Sequence, residues 1–176
     1  MHSPHITLIT GGQRSGKSEM AEKLALEMST NPVYIATSTV PADDSDWQVR
    51  VAAHQARRGP QWTTVEESLT PSLHADALAA QTVLLDCLTL WCTNLFFHHG
   101  EDSEATLATL KAELEALSST CAHLIVVTNE IGLGGISPNT LQRRFTDLQG
   151  MANRTVAAMA DEVYFMISGI PVKIKG

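Results

Sequence analysis

A β-rich run, Ile6–Thr10 (ITLIT), leads straight into Gly11-Gly12-Gln13-Arg14-Ser15-Gly16-Lys17-Ser18. The eight residues match G-x-x-x-x-G-K-[ST] in full. Glycines at the ends of this segment let the backbone wrap around phosphate oxygens with its N–H groups turned inward. Lys17 then reaches the β/γ-phosphates, and the Ser18 hydroxyl is placed to ligate Mg²⁺. Such a loop works only between a strand and a helix. Ser18–Met28 meets that demand, with Ala21, Leu24, Ala25 and Met28 on one stripe and Glu19, Glu22, Lys23 and Glu27 on the other. A nucleoside triphosphate site at the end of a buried strand is therefore expected.

The rest of the chain continues the alternation. Val33–Ala36 (VYIA), Trp62–Val65, Val83–Leu85 (VLL) and His123–Thr128 (HLIVVT) read as strands. Helices are expected over Asp44–Arg58, Leu88–Phe97 and Ser103–Ser118, the last with Leu107, Leu110, Leu114 and Leu117 in register. Ser137-Pro138 predicts an N-cap and first helical residue for a long helix carrying Leu141, Phe145, Leu148, Ala152, Val156 and Met159 on one face. Glu162–Ser168 and Val172–Lys175 flank Gly169-Ile170-Pro171, which predicts a closing hairpin. Strands apolar at every position, such as VLL and LIVV, suit a sheet buried on both faces. The expected fold is α/β: a mainly parallel sheet flanked by helices with a C-terminal hairpin, read as one nucleotide-binding domain over residues 1–176. Thr39–Asp46 and Gly132–Ser137 are the most loop-like stretches.

Composition narrows the partners. The 176 residues are 44% hydrophobic and 18% charged, a globular balance. Twelve Lys+Arg against nineteen Asp+Glu give a net charge of −7, which argues against nucleic-acid coating and against a DNA motor. Cys87, Cys92 and Cys121 lie in or beside apolar stretches without metal-type spacing, as expected of reduced thiols in a cytoplasmic protein. No apolar run is long enough for membrane insertion, and no basic-then-apolar leader opens the sequence.

Several residues are candidates for chemistry. Asp86 ends the VLL run, where a phosphate loop needs an acidic partner for Mg²⁺; the competing role is capping of the helix after Cys87. Arg50, His54, Arg57 and Arg58 form a cationic knot in an acidic chain, with Arg50, His54 and Arg57 on one helical face. Spacing alone leaves two readings open, a solvated basic face or a triphosphate clamp with a nucleophilic imidazole. Asn129-Glu130 ends a buried strand, the rim where α/β sheets bind ligands, and reads either as a substrate or metal-shell element or as a simple turn. Arg143-Arg144 reads as structural or as an inter-subunit finger, and Trp91–Phe97 as core or as a substrate surface.

The ordered series resembles one family. TGGQRSGKS (Thr10–Ser18), YIATS (Tyr34–Ser38), Asp43-Asp44 with the Arg50–Arg58 segment, and W.T.E (Trp62–Glu66) open it. LLDCLTLW.TNL (Leu84–Leu95), VTNEIGLG (Val127–Gly134), P.N.L.RRF.D..G..N (Pro138–Asn153) and the terminal SGIPVKIK continue it over nearly the whole chain. This pattern resembles the bifunctional adenosylcobinamide kinase/adenosylcobinamide-phosphate guanylyltransferases of cobalamin biosynthesis. The resemblance implies a phosphate-loop NTPase of the RecA-like type, usually a homotrimer. It implies phosphorylation of adenosylcobinamide with ATP or GTP, then transfer of GMP from GTP to adenosylcobinamide phosphate through a GMP-histidine intermediate, with pyrophosphate released. The family histidine falls on His54, and Ala53 stands where some members carry a second histidine. Nucleotide contacts fall on Gly11, Gly12, Gln13, Arg14, Ser15, Gly16, Lys17, Ser18, Thr37, Ser38, Gln55, Ala56, Arg57, Arg58, Glu66 and Asp86. Ser18 and Asp86 are the implied Mg²⁺ residues, Lys17 and His54 the implied catalytic ones, and the Asp44–Arg58 helix is expected to close on GTP.

Overall fold

The computed structural model describes residues 5–39 and 45–176, excluding the side chains of Trp47 and Arg50. Expectations placed on Asp43, Asp44, the Trp47 stripe and the Arg50 guanidinium lie outside the described residues. Strand β1 (His5–Gly11) is followed by the phosphate loop and helix α1 (Lys17–Met28), then β2 (Val33–Ala36), α2 (Ser45–Arg57) and β3 (Thr63–Glu66). A 3₁₀ turn at Pro71–His74 and a single helical turn α3 (Ala75–Leu78), neither anticipated from the sequence, lead to β4 (Thr82–Asp86). Helices α4 (Leu88–His98) and α5 (Ser103–Thr120), strand β5 (His123–Val127), helix α6 (Thr140–Met159) and strands β6 (Glu162–Ile167) and β7 (Ile170–Lys175) complete the chain.

The strands form one sheet in the order β3-β2-β4-β5-β1-β6-β7. All neighbours pair in parallel except β6 with β7. Parallel pairing buries both faces, which explains the uninterrupted apolar runs. Leu85, Leu124 and Val126 pack with Trp91, Phe96, Leu110 and Leu148 beneath α4, α5 and α6. Ile9, Leu84, Ile125 and Val127 pack with Ala21 and Ala25 of α1 on the other face. Trp91 and Phe96 are wholly buried, so the α4 segment is core, and the Trp91 indole N–H donates to the Leu69 carbonyl at 2.9 Å. Each such large apolar side chain stabilises the fold by roughly 1.5–3 kcal/mol.

Two boundaries differ from expectation. Helix α6 is capped by Asn139, whose Oδ1 accepts from Gln142 N at 3.0 Å, and not by Ser137. The Ser137 hydroxyl instead accepts from Asn139 N at 3.2 Å, a local turn that leaves Pro138 just outside the helix. The terminal hairpin turns at Ser168-Gly169, with φ of 50° and 84°, so β7 begins at Ile170. Both residues take the left-handed region that a two-residue hairpin needs. Pro171 is tolerated because β7 is an edge strand.

Candidate active site at the rim of the sheet

The site is built on the carboxyl ends of β1, β4 and β5. Gly11 has φ of 149°, and a Cβ there would lie 2.6 Å from the Met166 carbonyl of neighbouring β6. Glycine is thus required where the loop leaves the sheet. Gly16, with φ of 90°, stands at the N-cap of α1 and brings no side chain over the first helical turn, where N–H groups favour an anion. Lys17 is buried, and its Nζ donates to the Gly12 carbonyl at 2.5 Å and lies 3.5 Å from Ser15 Oγ. The ammonium spans the mouth of the loop where phosphate oxygens would sit. Ser18 follows it on α1, while Gln13 and Arg14 are exposed.

Asp86 closes β4 with its carboxylate almost buried, at 10% side-chain exposure. The Tyr34 hydroxyl donates to Asp86 Oδ2 at 3.1 Å. Burial, and then the Asp86 charge, push the Tyr34 phenol far above its ordinary range, so it stays a neutral donor. Asp86 is not a helix cap: the N-cap of α4 is Cys87, without a side-chain cap bond. Thr37 instead fixes the N-cap residue itself: its hydroxyl accepts from Cys87 N and donates to the Cys87 carbonyl, each at 2.9 Å. That hydroxyl is therefore committed to Cys87. Ser38 follows it at the rim, and Asn94 Nδ2 donates to the Thr37 carbonyl at 2.7 Å.

The cationic knot lies over this carboxylate. His54 Nδ1 is 3.9 Å from Asp86 Oδ2. Arg57 NH2 lies 3.2 Å from His54 Nδ1, and the same guanidinium donates to both Glu22 oxygens at 3.3 and 3.2 Å. Glu19 of α1 adds an oxygen 3.8 Å from Arg57 NH1. The acidic stripe of α1 thus receives the basic end of α2. Arg58 lays its guanidinium 3.7 Å from the centre of the Tyr34 ring, and its buried Nε and NH1 have no hydrogen-bond partner among the described residues. Unpaired buried guanidinium nitrogens suit an anionic ligand. Gln55 and Ala56 are exposed on α2, and Glu66 is exposed at the end of β3, on the sheet's outer edge. The structure therefore brings Lys17, Asp86, His54, Arg57 and Arg58 together and holds Glu66 farther along the rim. Ser18 and Asp86 supply hydroxyl and carboxylate oxygens, the donor type Mg²⁺ prefers beside substrate phosphates.

A second polar cluster occupies the other face of the rim. Glu130 N donates to the Gly11 carbonyl at 3.0 Å, tying the end of β5 to the base of the phosphate loop. Its Oε2 accepts from Asn153 Nδ2 at 3.2 Å and from Thr10 Oγ1 at 3.5 Å. Asn153 Oδ1 in turn accepts from Thr128 Oγ1 at 2.7 Å and Gln149 Nε2 at 2.8 Å. The sequence marks Asn129-Glu130 but gives no sign that Gln149 and Asn153, four residues apart on α6, brace them. Tyr34, Glu19 and Glu22 were likewise missed as partners of Asp86 and Arg57; their only sequence signal is a place on a strand or on a polar helical stripe. Within the chain, Arg143 donates to the carbonyls of Ser137 and Pro138, and Arg144 bonds Glu101.

Sheet order, glycine loop and buried lysine define the class, a phosphate-loop NTPase with a RecA-like fold. A solved structure described as a prototypical ATPase from the type III secretion system of pathogenic bacteria shares that fold, with TM-score 0.53 at 13% identity. The match covers 96% of this chain and 56% of that ATPase. The sequence model of the family described as cobinamide kinase / cobinamide phosphate guanyltransferase matches residues 7–174, and the chain belongs to that family. It is 40% identical over 171 residues to the bifunctional adenosylcobalamin biosynthesis protein CobP of Pseudomonas aeruginosa, covering 96% of each chain. It is 39% identical over 181 residues to the bifunctional adenosylcobalamin biosynthesis protein CobU of Escherichia coli, covering 96% of this chain and 98% of the relative. The family is one of enzymes, named for a kinase and a guanylyltransferase activity. No described helix is long and apolar enough to cross a membrane.

Proposed function

We propose that this chain phosphorylates the aminopropanol hydroxyl of adenosylcobinamide with ATP or GTP and then caps the phosphate with GMP. In the second reaction a His54 nitrogen attacks the α-phosphorus of GTP, the α–β bridging P–O bond breaks, and pyrophosphate leaves. An oxygen of adenosylcobinamide phosphate then attacks the same phosphorus, the P–N bond breaks, and adenosylcobinamide-GDP departs with His54 restored. The observation that carries this reading is the approach of His54 to within 3.9 Å of Asp86, on the rim that also holds the Lys17 loop. Arg57 and Arg58 neutralise charge on the transferring group, and the loop N–H groups and Lys17 orient the triphosphate. Ser18 and Asp86 would hold Mg²⁺, which would supply further charge neutralisation on the phosphates. Gly11–Ser18 form the cradle, with Ser38, Gln55, Ala56 and Glu66 as outlying nucleotide contacts; Thr37 acts by fixing Cys87 beside Asp86.

The partners are small molecules, not nucleic acid, consistent with the net charge of −7. The enzyme works in the cytoplasm, where its three free buried cysteines stay reduced. It assembles as a homotrimer, a reading supported by the bare apolar hairpin residues Ile167, Ile170 and Val172. The test is incubation of purified protein with GTP, Mg²⁺ and adenosylcobinamide, with products and intact protein identified by mass. A GMP-sized adduct on His54 and formation of adenosylcobinamide-GDP are expected. Protein that forms neither product nor adduct would overturn the proposal.

A further inference from the structure

The cationic knot is assigned above to guanylyl transfer, and the kinase step also needs a proton acceptor. When an alcohol oxygen attacks the γ-phosphorus, its proton must leave. Asp86 already accepts from Tyr34 and faces His54, on the α1 side of the sheet. Glu130 lies on the opposite side, beside the same phosphate loop. An open groove of about 890 Å³ begins there and runs between α6 and the sheet. Glu130, Thr10 and Asn153 line its polar end, and Leu8, Val163 and Ile174 its apolar floor. The groove exists because α6 covers β1 while the β6–β7 hairpin extends past it, with Ile174 62% exposed.

We propose that Glu130 is the general base of the kinase step and that this groove admits the acceptor arm of the alcohol substrate. The inference rests on the kinase reading above. Three features support it. The main chain of Glu130 is bonded to Gly11, so its carboxylate is placed relative to the phosphate cradle through one hydrogen bond. Its Oε2 is oriented by Asn153 and Thr10, and Asn153 is itself held by buried Gln149 and Thr128. Its Oε1 has no hydrogen-bond partner among the described residues, in a residue that lines the groove. A carboxylate with one oxygen oriented and the other available is a built proton acceptor. The step balances: the alcohol oxygen bonds to the γ-phosphorus, the β–γ bridging bond breaks with its electron pair on the departing nucleoside diphosphate, and the hydroxyl proton passes to Glu130 and then to water. Asn153 acts through Glu130 and is a positioning residue.

The test separates the two half-reactions. E130Q should lower kcat for phosphorylation of adenosylcobinamide by about 100-fold or more, with KM for ATP nearly unchanged. Starting from adenosylcobinamide phosphate, the same variant should still form the GMP adduct and transfer GMP within about three-fold of wild type. Kinase kcat within three-fold of wild type in E130Q, or equal loss of both reactions in a folded protein, would overturn the assignment. Should E130Q fail to fold, E130D decides: selective loss of kinase kcat supports the proposal, and parallel loss of both steps refutes it. Wild-type protein that phosphorylates no cobinamide would instead bring down the kinase reading on which this rests.

Discussion

The two faces of the sheet rim are built to different tolerances. On the α1 face, Arg57 is paired with Glu22 and Glu19 between α1 and α2 and lies against His54. Exposed ion pairs of this kind are worth about 0–1 kcal/mol. On the α6 face, Thr128, Gln149 and Asn153 form a hydrogen-bonded network in which Thr128 and Gln149 are wholly buried. Breaking such a network strands buried polar atoms at about 1–3 kcal/mol each. The difference fits the proposed roles. On the proposed mechanism a triphosphate competes with Glu22 and Glu19 for Arg57 and draws α2 over the loop. Glu130 cannot be displaced so cheaply, which suits a group that must meet an incoming hydroxyl at one fixed place.

Substitutions that remove one face and spare the other test this contrast most sharply. His54→Ala should abolish the GMP adduct and guanylyl transfer while keeping most phosphoryl transfer, because γ-phosphate chemistry needs no protein nucleophile. Intact-protein mass after GTP treatment checks it, and an adduct that persists or maps to another residue refutes the His54 assignment. Paired with E130Q, it should give opposite losses in the two half-reactions.

Lys17→Ala should erase the contrast, since both steps draw on one cradle. Each should slow by about 100-fold or more, measured as separate kcat values with ATP and with GTP. Kinase activity at the wild-type level in that variant would mean the loop does not bind the reacting triphosphate.

Stability should divide the faces in a third way. Asn153→Ala removes an acceptor from Thr128 and one of two from Gln149, and should lower unfolding free energy by about 2 kcal/mol. Arg57→Ala should change it by less than about 1 kcal/mol. Urea melts of the two variants measure both, and the reverse ranking would contradict the picture of a fixed α6 face and a displaceable α2.

The smallest effect concerns the thiols. Burial, and for Cys87 then the adjacent Asp86 charge, push Cys87, Cys92 and Cys121 up to about 12. In the unfolded chain they ionise near pH 8.5. Their contribution to stability is therefore present below that pH and lost as pH rises above it. Alkylation at pH 8, followed by mass, should label none of them in the native protein and all three after unfolding.

What the sequence determined by itself was whatever depends on neighbours along the chain. The strand–loop–helix at Ile6–Met28 was legible because its glycines and lysine act within eight residues. The buried parallel strands were legible because both faces of VLL and LIVV must be apolar, and the Leu107–Leu117 stripe because it has a helical period. Asp86 was visible at the end of its run, but two roles remained open. Only the folded chain rejected the cap, by laying Tyr34 from another strand against the carboxylate and giving Thr37 the task of holding Cys87. His54 was ambiguous for the same reason: spacing put it among arginines, but its distance to Asp86 depends on how α2 crosses α1. The start of α6 slipped from Ser137 to Asn139 because both side chains can bond nearby N–H groups, and geometry chose between them. The Glu130 network joins β1, β5 and α6 across as many as 120 positions, so no local pattern could have announced it. Its members are ordinary polar residues until the sheet order sets β5 against β1 and the crossover through α6 brings Asn153 over both.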